Sequence, residues 1–373
     1  MVKGDNIEDW HLITGDDLPD SPALLIYPDR VKHNIDLLVS SIDDVSRLRP
    51  HVKTHKCAEV VKLCLEAGIS KFKCATIAEA EMLGMCHAAD VLLAYQPIGP
   101  KAQRFISLIQ QYPQTQFSCL VDSYTAARQL DELAGTAKVL VTGFIDLNVG
   151  MNRSGILPED AFDLYQQCIK LAGLKVKGLH AYDGHIHDED LTVREKRVNA
   201  YFAPVENLII QLNGLGFNPV LIAGGTPTYP VYAAKSNIEC SPGTFIYWDG
   251  GYQQAFTEQT YLTAALLMTR VVSLPDKTKI CVDLGHKSIA SENVLEKRVR
   301  FLNAPGLKFI GHSEEHLVLD AGPGHQYQVG DVFYGLPYHI CPTVALYSSA
   351  TTIVNKKVSG EWKIQARERK INI

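Results

Sequence analysis

Short apolar runs alternate with amphipathic segments of helical period between about residues 20 and 250, a pattern typical of parallel strands joined by crossover helices. The candidate strands are Ala23–Tyr27, Leu48–Lys53, Phe72–Thr76, Val91–Tyr95, Phe117–Asp122, Phe144–Val149, Val176–Tyr182, Val220–Gly225 and Phe245–Trp248. The candidate helices include Pro28–Ser41, Ala58–Ala67 and Ile77–Met85. Eight or nine such units in about 230 residues predict an α/β fold, a (β/α)8 TIM-type barrel. An open doubly wound sheet is the alternative, because a strand count does not show closure.

After about residue 255 the helical period fades, and alternating runs separated by turn signals such as Gly322-Pro323-Gly324 take over. The candidate strands in this part are Ala265–Leu274, Lys279–Leu284, Asp331–Tyr334 and Val344–Ser348. The pattern predicts a second, mainly β C-terminal domain at residues 256–373, after a barrel domain at residues 20–255.

Composition narrows the function to small-molecule chemistry. The 373 residues are 46% hydrophobic and 21% charged with a net charge of -5, so neither nucleic acid nor a membrane is an expected partner. No stretch of the chain has the length and uninterrupted apolar character of a membrane span. Nine scattered cysteines without a Cys-x-x-Cys pair indicate reduced thiols and a cytoplasmic location. The acidic start of the chain argues against a secretory or transit peptide; its acidic residues are Asp5, Glu8, Asp9, Asp16 and Asp17.

The first chemical candidate is the basic segment Arg49-Pro50-His51-Val52-Lys53-Thr54-His55-Lys56, at the end of a predicted strand and before a helix. In a barrel this is the catalytic face. Lys53 shares a strand face with His51 and His55, and we expect the apolar strand behind it to desolvate its amine, as a Schiff-base lysine requires. The alternative is a solvated basic loop.

Two glycine-rich turns, Gly224-Gly225-Thr226 and Ser241-Pro242-Gly243-Thr244, stand beside neighbouring predicted strands. Bare backbone amides and threonine hydroxyls suit a phosphate group, and barrels often bind phosphate beside their last two strands. Two ordinary turns are the alternative. The chain has no Walker motif and no Gly-x-Gly-x-x-Gly, which disfavours nucleotide binding.

Three further segments carry candidate chemistry. The guanidinium of Arg153, if it is not simply a surface group, can reach a phenolate or a carboxylate through its rigid fork. His339 and Cys341 lie two residues apart, on one face of an extended segment, and offer an imidazole and a thiol to zinc or a similar ion. His185 and His187 form a second possible cluster, which leaves a metal-dependent amidohydrolase open, although in such enzymes the pair lies on the first barrel strand.

Taken together, these segments resemble the D-threonine aldolase and D-serine dehydratase family, which shares the alanine-racemase-like, type III fold of pyridoxal-phosphate enzymes. Motifs in the family's order are the basic segment at Lys53, Asp90–Pro100, the Gly-Met-Asn-Arg-Ser-Gly run at Arg153, Tyr182 with Asp183-Gly184-His185, Gly224-Gly225-Thr226, Gly243-Thr244, Asp283–Lys287, Glu315-His316 and His339-x-Cys341.

The resemblance implies pyridoxal 5'-phosphate on Lys53 and a divalent metal ion, Zn, Mn or Mg, on His339 and Cys341. It places Arg153 at the ring hydroxyl or the substrate and Tyr182 near the ring. The implied phosphate ligands are Gly224, Gly225, Thr226, Gly243 and Thr244. It also implies a homodimer, and it assigns Ala23–Tyr27 to the β domain through an N-terminal segment at residues 1–27. Eight strands between Leu48 and Trp248 then remain for the barrel.

The implied activity is a lyase reaction on a β-hydroxy D-amino acid. In the leading interpretation His185 or His187 removes the β-hydroxyl proton, and retro-aldol cleavage gives glycine and an aldehyde. In the alternative Lys53 removes the α proton, and dehydration of D-serine or D-3-hydroxyaspartate gives a ketoacid and ammonia. The aldolase branch usually has His-Cys-Asp at the metal site, whereas His339-Ile340-Cys341 is closer to the dehydratase branch. A racemase and a non-catalytic pyridoxal-phosphate carrier are further alternatives.

Overall fold

The structure, a computed structural model, describes residues 9–15 and 17–373. The predicted linking segment at residues 1–27 therefore lies partly outside the described residues, and so do Asp5, Glu8 and Asp16. The chain divides into two compact units. The β unit comprises the residues up to Asn34 together with Ile246–Arg367, and the barrel unit comprises Ile35–Phe245 with Glu368–Ile373. The domain limits at residues 20–255 and 256–373 stay a prediction.

Strands and helices follow one another along the chain as the apolar periodicity predicts. The strands are β1 (Ala23–Ile26), β2 (Lys71–Cys74), β3 (Asp90–Leu93), β4 (Gln116–Val121), β5 (Val141–Leu147), β6 (Leu174–Ala181), β7 (Val220–Ala223), β8 (Ile238–Cys240), β9 (Ala265–Ser273), β10 (Lys279–Val282), β11 (Val299–Phe301), β12 (Lys308–His312), β13 (Leu317–Asp320), β14 (Val332–Pro337), β15 (Ser349–Val354) and β16 (Lys357–Lys363). The helices are α1 (Pro28–Ser40), α2 (Ala58–Glu66), α3 (Ile77–Met85), α4 (Pro100–Gln111), α5 (Tyr124–Ala137), α6 (Pro158–Cys168), α7 (Leu191–Gly214), α8 (Tyr229–Ala233), α9 (Gly250–Ala255) and α10 (Ile340–Val344).

The barrel unit is built on a parallel sheet in the order β2-β3-β4-β5-β6-β7-β8. Residues 48–51 bridge its two outer strands, since Arg49 N donates to Cys240 O at 2.9 Å and Lys73 N donates to Pro50 O at 2.9 Å. Apolar side chains of β3, β4, β5 and β7 pack together in the interior, among them Leu92, Leu120, Phe144 and Ile222. The predicted TIM-type barrel is confirmed. The segment at residues 48–51 takes the place of an eighth strand, between β8 and β2.

Two strand predictions in the barrel differ from the structure. Leu48–Lys53 pairs only at isolated positions and turns into a 3-10 helix at Val52–Thr54, because Pro50 has no amide to donate to a ladder. Phe245–Trp248 is not a strand: a 3-10 helix covers Thr244–Ile246, and the aromatic rings are buried without sheet pairing. The last barrel strand is β8, which precedes the predicted strand in the chain and is shorter than it.

The β unit is confirmed as mainly β. Its nine-stranded sheet runs β12-β13-β10-β9-β1-β15-β16, with β14 pairing β9 and β11. The wholly apolar β1 lies between antiparallel β9 and parallel β15, as the resemblance implied, and Leu25 packs there with Leu266, Met268 and Ile353. The predicted strand Val344–Ser348 is wrong, because α10 ends at Val344 and β15 begins at Ser349. None of the helices in the described part of the chain is long and apolar enough to span a membrane.

Candidate functional site

A cavity of about 560 Å³ lies within the barrel unit at the carboxyl ends of its strands. This volume is typical of small-molecule sites, and the end of the barrel is the one that carries catalytic groups in TIM-type folds. Two sets of side chains line it. The rim residues, Lys53, Arg153 and Tyr182, lie in segments that follow strands; the floor residues, Lys73, Asp146 and His180, lie within β2, β5 and β6.

Lys53 reaches the cavity from the short 3-10 helix after the bridging segment. Nδ1 of His51 accepts a hydrogen bond from Lys53 N at 3.2 Å and so caps this helix. The Lys53 side chain is exposed, so the expected desolvation by the strand behind it is not found in this structure. The reason is that the chain turns into the 3-10 helix directly after the last bridge at His51, and Lys53 emerges from that turn instead of from a strand face.

Arg153 and Tyr182 contact each other on the rim. The guanidinium carbon of Arg153 lies 5.2 Å from the centroid of the Tyr182 ring, within the range of a cation–π contact. Two glycines leave room for that ring. A Cβ on Gly184 would come within 2.4 Å of the Tyr182 hydroxyl, and one on Gly225 within 3.2 Å of the ring.

The two glycine-rich turns are joined directly to each other. Oγ1 of Thr226 accepts hydrogen bonds from Gly243 N at 2.9 Å and from Thr244 N at 3.0 Å. Gly224 has a φ of +72°, and a Cβ there would clash with the ring of Tyr232 at 2.6 Å. The turn that contains Gly243 follows β8 instead of opening a strand, so both turns lie at carboxyl ends of neighbouring strands.

Asp183 anchors the segment that carries Tyr182. Its carboxylate accepts hydrogen bonds at 2.9 Å from Thr228 Oγ1 and at 2.9 Å from the Tyr232 hydroxyl. Burial raises the pKa of Asp183 to about 6, although both hydrogen bonds act in the opposite direction. The turn at Gly224 and Gly225 is thereby held to the end of β6.

On the cavity floor, Asp146 and His180 form a buried pair. His180 Nδ1 lies 2.7 Å from Asp146 Oδ1, and Ser154 Oγ donates to the other carboxylate oxygen at 3.1 Å. A carboxylate can only accept, so Nδ1 carries the proton and neutral His180 presents the lone pair of Nε2. Nε2 is buried and has no hydrogen-bond partner in the described part of the chain. Burial lowers the pKa of His180, against the effect of Asp146.

Lys73 is the second lysine of the cavity, and its side chain is only 2% exposed. Its amine lies 5.4 Å from the centroid of the Tyr182 ring. Burial, followed by the positive charge of Lys53, lowers the pKa of Lys73 to about 7, while Asp183 and Asp146 act against this. A buried amine with this pKa in a cavity marks a candidate functional group.

His185 and His187 lie close to this region, but neither is among the described residues that line the cavity. The ring of His185 packs edge-on against Tyr201 with centroids 4.8 Å apart, and its two nitrogens are buried without a hydrogen-bond partner among residues 9–15 and 17–373. His187 is exposed. Their predicted role as proton acceptors stays a prediction.

The β unit carries the predicted metal ligands at the start of α10. His339 Nδ1 is hydrogen-bonded to Glu292 Oε1, and His339 also interacts with the neighbouring Cys341 thiol. Burial disfavours the charged imidazole, but the thiol of Cys341 and the carboxylates of Glu292 and Asp249 outweigh it and raise the pKa of His339 to about 9.

The side chains fit the two groups that the family resemblance implies. For pyridoxal phosphate, the cavity offers an amine, a tyrosine ring and a guanidinium. The two glycine-rich turns are not among the described residues that line it, and the amides of Gly224, Gly225 and Gly243 donate to Ala181 O, Thr228 Oγ1 and Thr226 Oγ1. For a divalent ion, the nitrogen and sulfur donors of His339 and Cys341 suit a borderline metal. No cluster of three or more His, Cys, Asp or Glu ligands occurs among the described residues.

Sequence reasoning did not single out Lys73, His180 or Glu292. One signal was present for the first two: a polar side chain interrupts the apolar residues of a strand that a barrel buries on both faces, as in Phe72-Lys73-Cys74 and Leu179-His180-Ala181. No local pattern marks Glu292, which meets His339 across 47 residues of sequence.

Comparisons with known proteins agree with this architecture. The family model described as alanine racemase, N-terminal domain, matches residues 26–250, and a serine dehydratase domain model matches residues 264–353. D-threonine aldolase from Arthrobacter sp. is 26% identical over 361 residues, with 93% of both chains covered. D-threo-3-hydroxyaspartate dehydratase from Delftia sp. is 23% identical over 358 residues, covering 88% of this chain and 92% of that protein.

The fold similarity extends over nearly the whole chain. The solved structure of D-threonine aldolase from Filomicrobium marinum has a TM-score of 0.85 at 23% identity and covers 93% of this chain and 95% of that chain. The resemblance stated from the sequence is therefore confirmed at the level of family and fold.

Proposed function

Because this chain belongs to the alanine racemase N-terminal domain family, we propose that it is a pyridoxal-5'-phosphate- and metal-dependent lyase acting on β-hydroxy D-amino acids. The observation that carries the proposal is the cavity itself, where Lys53, Arg153 and Tyr182 stand together on the rim. The proposal includes a homodimer in the cytoplasm, and sedimentation of the purified protein tests the dimer.

The leading reaction is retro-aldol cleavage to glycine and an aldehyde. It is supported by the relative from Arthrobacter sp., a D-threonine aldolase that is 26% identical. Dehydration to a ketoacid and ammonia is the second candidate. A specific observation favours it, since His339 and Cys341 stand two residues apart with Ile340 between them, as the dehydratase branch implies.

The chain's own residues supply binding and proton transfer. When bound, pyridoxal 5'-phosphate supplies an electron sink for the bonds broken at the substrate α carbon. The exposed amine of Lys53 bonds the cofactor and holds or returns the proton at that carbon. Arg153 orients an anionic oxygen through its guanidinium fork, and Tyr182 packs against the ring. Thr226 and Thr244, in the two turns that contain Gly224, Gly225 and Gly243, would hold the phosphate.

The β-hydroxyl group needs two further functions. A divalent ion held by His339 and Cys341 supplies Lewis acidity at its oxygen. The proton of the hydroxyl needs an acceptor, for which His185 and His187 stay the proposed residues. His180 joins them as a candidate, because its Nε2 lone pair lies at the cavity while Asp146 holds Nδ1.

A product assay decides between the two reactions. The purified protein, loaded with cofactor and Mn²⁺ or Zn²⁺, is incubated separately with D-threonine and D-serine. Glycine with acetaldehyde supports the aldolase, and ketoacid with ammonia supports the dehydratase. Neither product pair from any β-hydroxy D-amino acid rejects the proposed function.

The metal assignment is tested with Cys341→Ser. Serine is a weaker ligand for a borderline ion, so we expect activity to fall at least tenfold and to recover in part at high metal concentration. Cys86→Ser, at another half-buried cysteine outside any disulfide, is the matched control and keeps wild-type activity. Full activity of Cys341→Ser in the presence of a chelator contradicts the assignment.

A further inference from the structure

Lys73 lies at the floor of the barrel cavity without a residue of opposite charge bonded to it. Among the described residues, no hydrogen bond or ion pair involves its amine, which contacts the ring of Tyr182. Lys71, two residues earlier on the same strand, shows the usual solution, because it forms an ion pair with Glu239. A buried ammonium without a counter-charge is costly, so a position of this kind needs a reason.

The charges around Lys73 do not neutralise it. Lys53 and Arg49 oppose its protonation, and Asp183 and Asp146 favour it. The carboxylates are already engaged by other groups: Asp146 by an imidazole and a hydroxyl, and Asp183 by two hydroxyls.

Two imidazoles also face this region, and neither offers a negative charge. His180 lies beside Asp146 on the floor, and His51 pairs with Lys73 along the strand. Burial lowers the pKa of both, and the positive charge of Lys73 acts in the same direction. Burial and Lys53 in turn lower the pKa of Lys73 to about 7, so near neutral pH its amine is about half protonated.

We propose that Lys73 is an anion-binding residue: its amine donates to a negatively charged oxygen of the molecule bound in the cavity and takes up a proton from solvent as that oxygen arrives. No covalent bond of the ligand forms or breaks at Lys73. The anionic oxygen has two sources, the cofactor and the substrate carboxylate. This inference rests on the proposed function for the identity of these two probes.

Isothermal titration calorimetry in two buffers of different ionisation heat measures the proton uptake. In the first arm, pyridoxal 5'-phosphate is titrated into the cofactor-free protein. In the second arm, D-alanine, which lacks the β-hydroxyl that either lyase reaction needs, is titrated into the loaded enzyme. Both arms compare the wild type with Lys73→Met, so protons released by the ligands themselves cancel.

We expect the wild type to take up about half a proton more than Lys73→Met at pH 7, and more at pH 8, in one of the two arms. The first arm identifies the cofactor as the source of the oxygen, and the second identifies the substrate. Lys71→Met, the same substitution on the same strand outside the cavity lining, matches the wild type in proton uptake. Equal proton uptake by wild type and Lys73→Met in both arms overturns the inference.

Two further measurements keep the result unambiguous. If Lys73→Met does not fold, Lys73→Arg replaces it: a permanent cation binds the anion without proton uptake, and proton uptake equal to wild type contradicts the inference. If the wild type binds no pyridoxal phosphate, the proposed function fails. The inference is then decided with inorganic phosphate as the probe, by whether wild type takes up more protons than Lys73→Met.

Discussion

The rim and the floor of the barrel cavity hold their charged groups in opposite ways. Lys53 and Arg153 on the rim emerge from turns and are exposed, whereas Lys73 and His180 on the floor belong to strands and are buried. Exposed groups move and meet a ligand at little cost, and buried groups have their pKa set by the fold. The groups proposed to bond the cofactor and the groups that set the electrostatic environment around it therefore lie in different layers of one site.

Removal of the rim amine is the strongest test of this division. We expect Lys53→Ala to lower lyase activity about a thousandfold or more, because it removes the amine that we propose bonds the cofactor. Its free energy of unfolding stays within about 0.5 kcal/mol of wild type, since the side chain is exposed. Lys62→Ala, at an exposed lysine of α2, is the control for both measurements. Near-normal activity of Lys53→Ala would indicate that the amine chemistry belongs to the floor and not to the rim.

For a residue beneath the floor, we expect substitution to lower the free energy of unfolding. Arg49 is fully buried and donates to Asp90 at 2.7 Å and to Glu239 at 2.7 Å. Arg49→Met leaves two buried carboxylates without this partner, and we expect the free energy of unfolding to fall by about 4 kcal/mol in urea titrations. Arg128→Met, at an exposed ion pair with Glu132 on α5, changes it by less than about 0.5 kcal/mol. Comparable losses for the two variants would refute the role of burial.

Lys73 gives the floor a specific pH signature. Its pKa is about 7 in the folded protein against an ordinary value of 10.5, so the unfolded chain binds the proton more tightly. The lysine therefore reduces stability fully below pH 7, and this cost disappears as the pH rises from 7 to about 10.5. Lys73→Met removes the cost, and we expect unfolding to require about 2 kcal/mol more than wild type at pH 7.

Denaturant titrations at several pH values check this expectation. The difference in free energy of unfolding between Lys73→Met and wild type becomes smaller between pH 7 and pH 10. If the stability advantage of Lys73→Met does not change with pH, or if the variant is less stable than wild type at pH 7, then burial does not disfavour the charged amine.

The smallest expected effect is at Tyr182, where rim and floor meet. Its ring contacts both Lys73 and Arg153, while no hydrogen bond of its hydroxyl occurs within the described ranges. We expect Tyr182→Phe to change both cofactor affinity, measured by absorbance titration, and unfolding by less than about 0.5 kcal/mol. Tyr182→Ala, which removes the ring, costs more in both. A large effect of the phenylalanine variant would assign the hydroxyl a direct role.

The sequence predicts the rim far better than the floor, for a physical reason. Rim residues follow strands, and turn residues such as Pro50 and Gly225 mark those strand ends in the sequence. Floor residues lie inside strands, where a lysine at position 73 normally indicates a solvent-facing side. Its burial results from closure of the sheet, which depends on contacts between residues far apart in the chain.

The last barrel strand shows the same limit. Phe245–Trp248 has the apolar composition of a buried strand, and its residues are indeed buried, but the backbone there is a turn. The actual strand β8 is three residues long and has Glu239 at its centre. That charge is tolerated because Arg49, 190 residues earlier, donates to it, and no local propensity contains this information.

The position of β1 has a consequence for how the protein is made. Leu25 pairs with Leu266 on one side and with Thr351 on the other. During synthesis β1 leaves the ribosome more than three hundred residues before its last neighbour, β15. At about 5–20 residues per second this interval lasts some tens of seconds, during which both edges of an apolar strand lack their final partners. Chaperone dependence of nascent-chain folding is therefore expected to concentrate at β1.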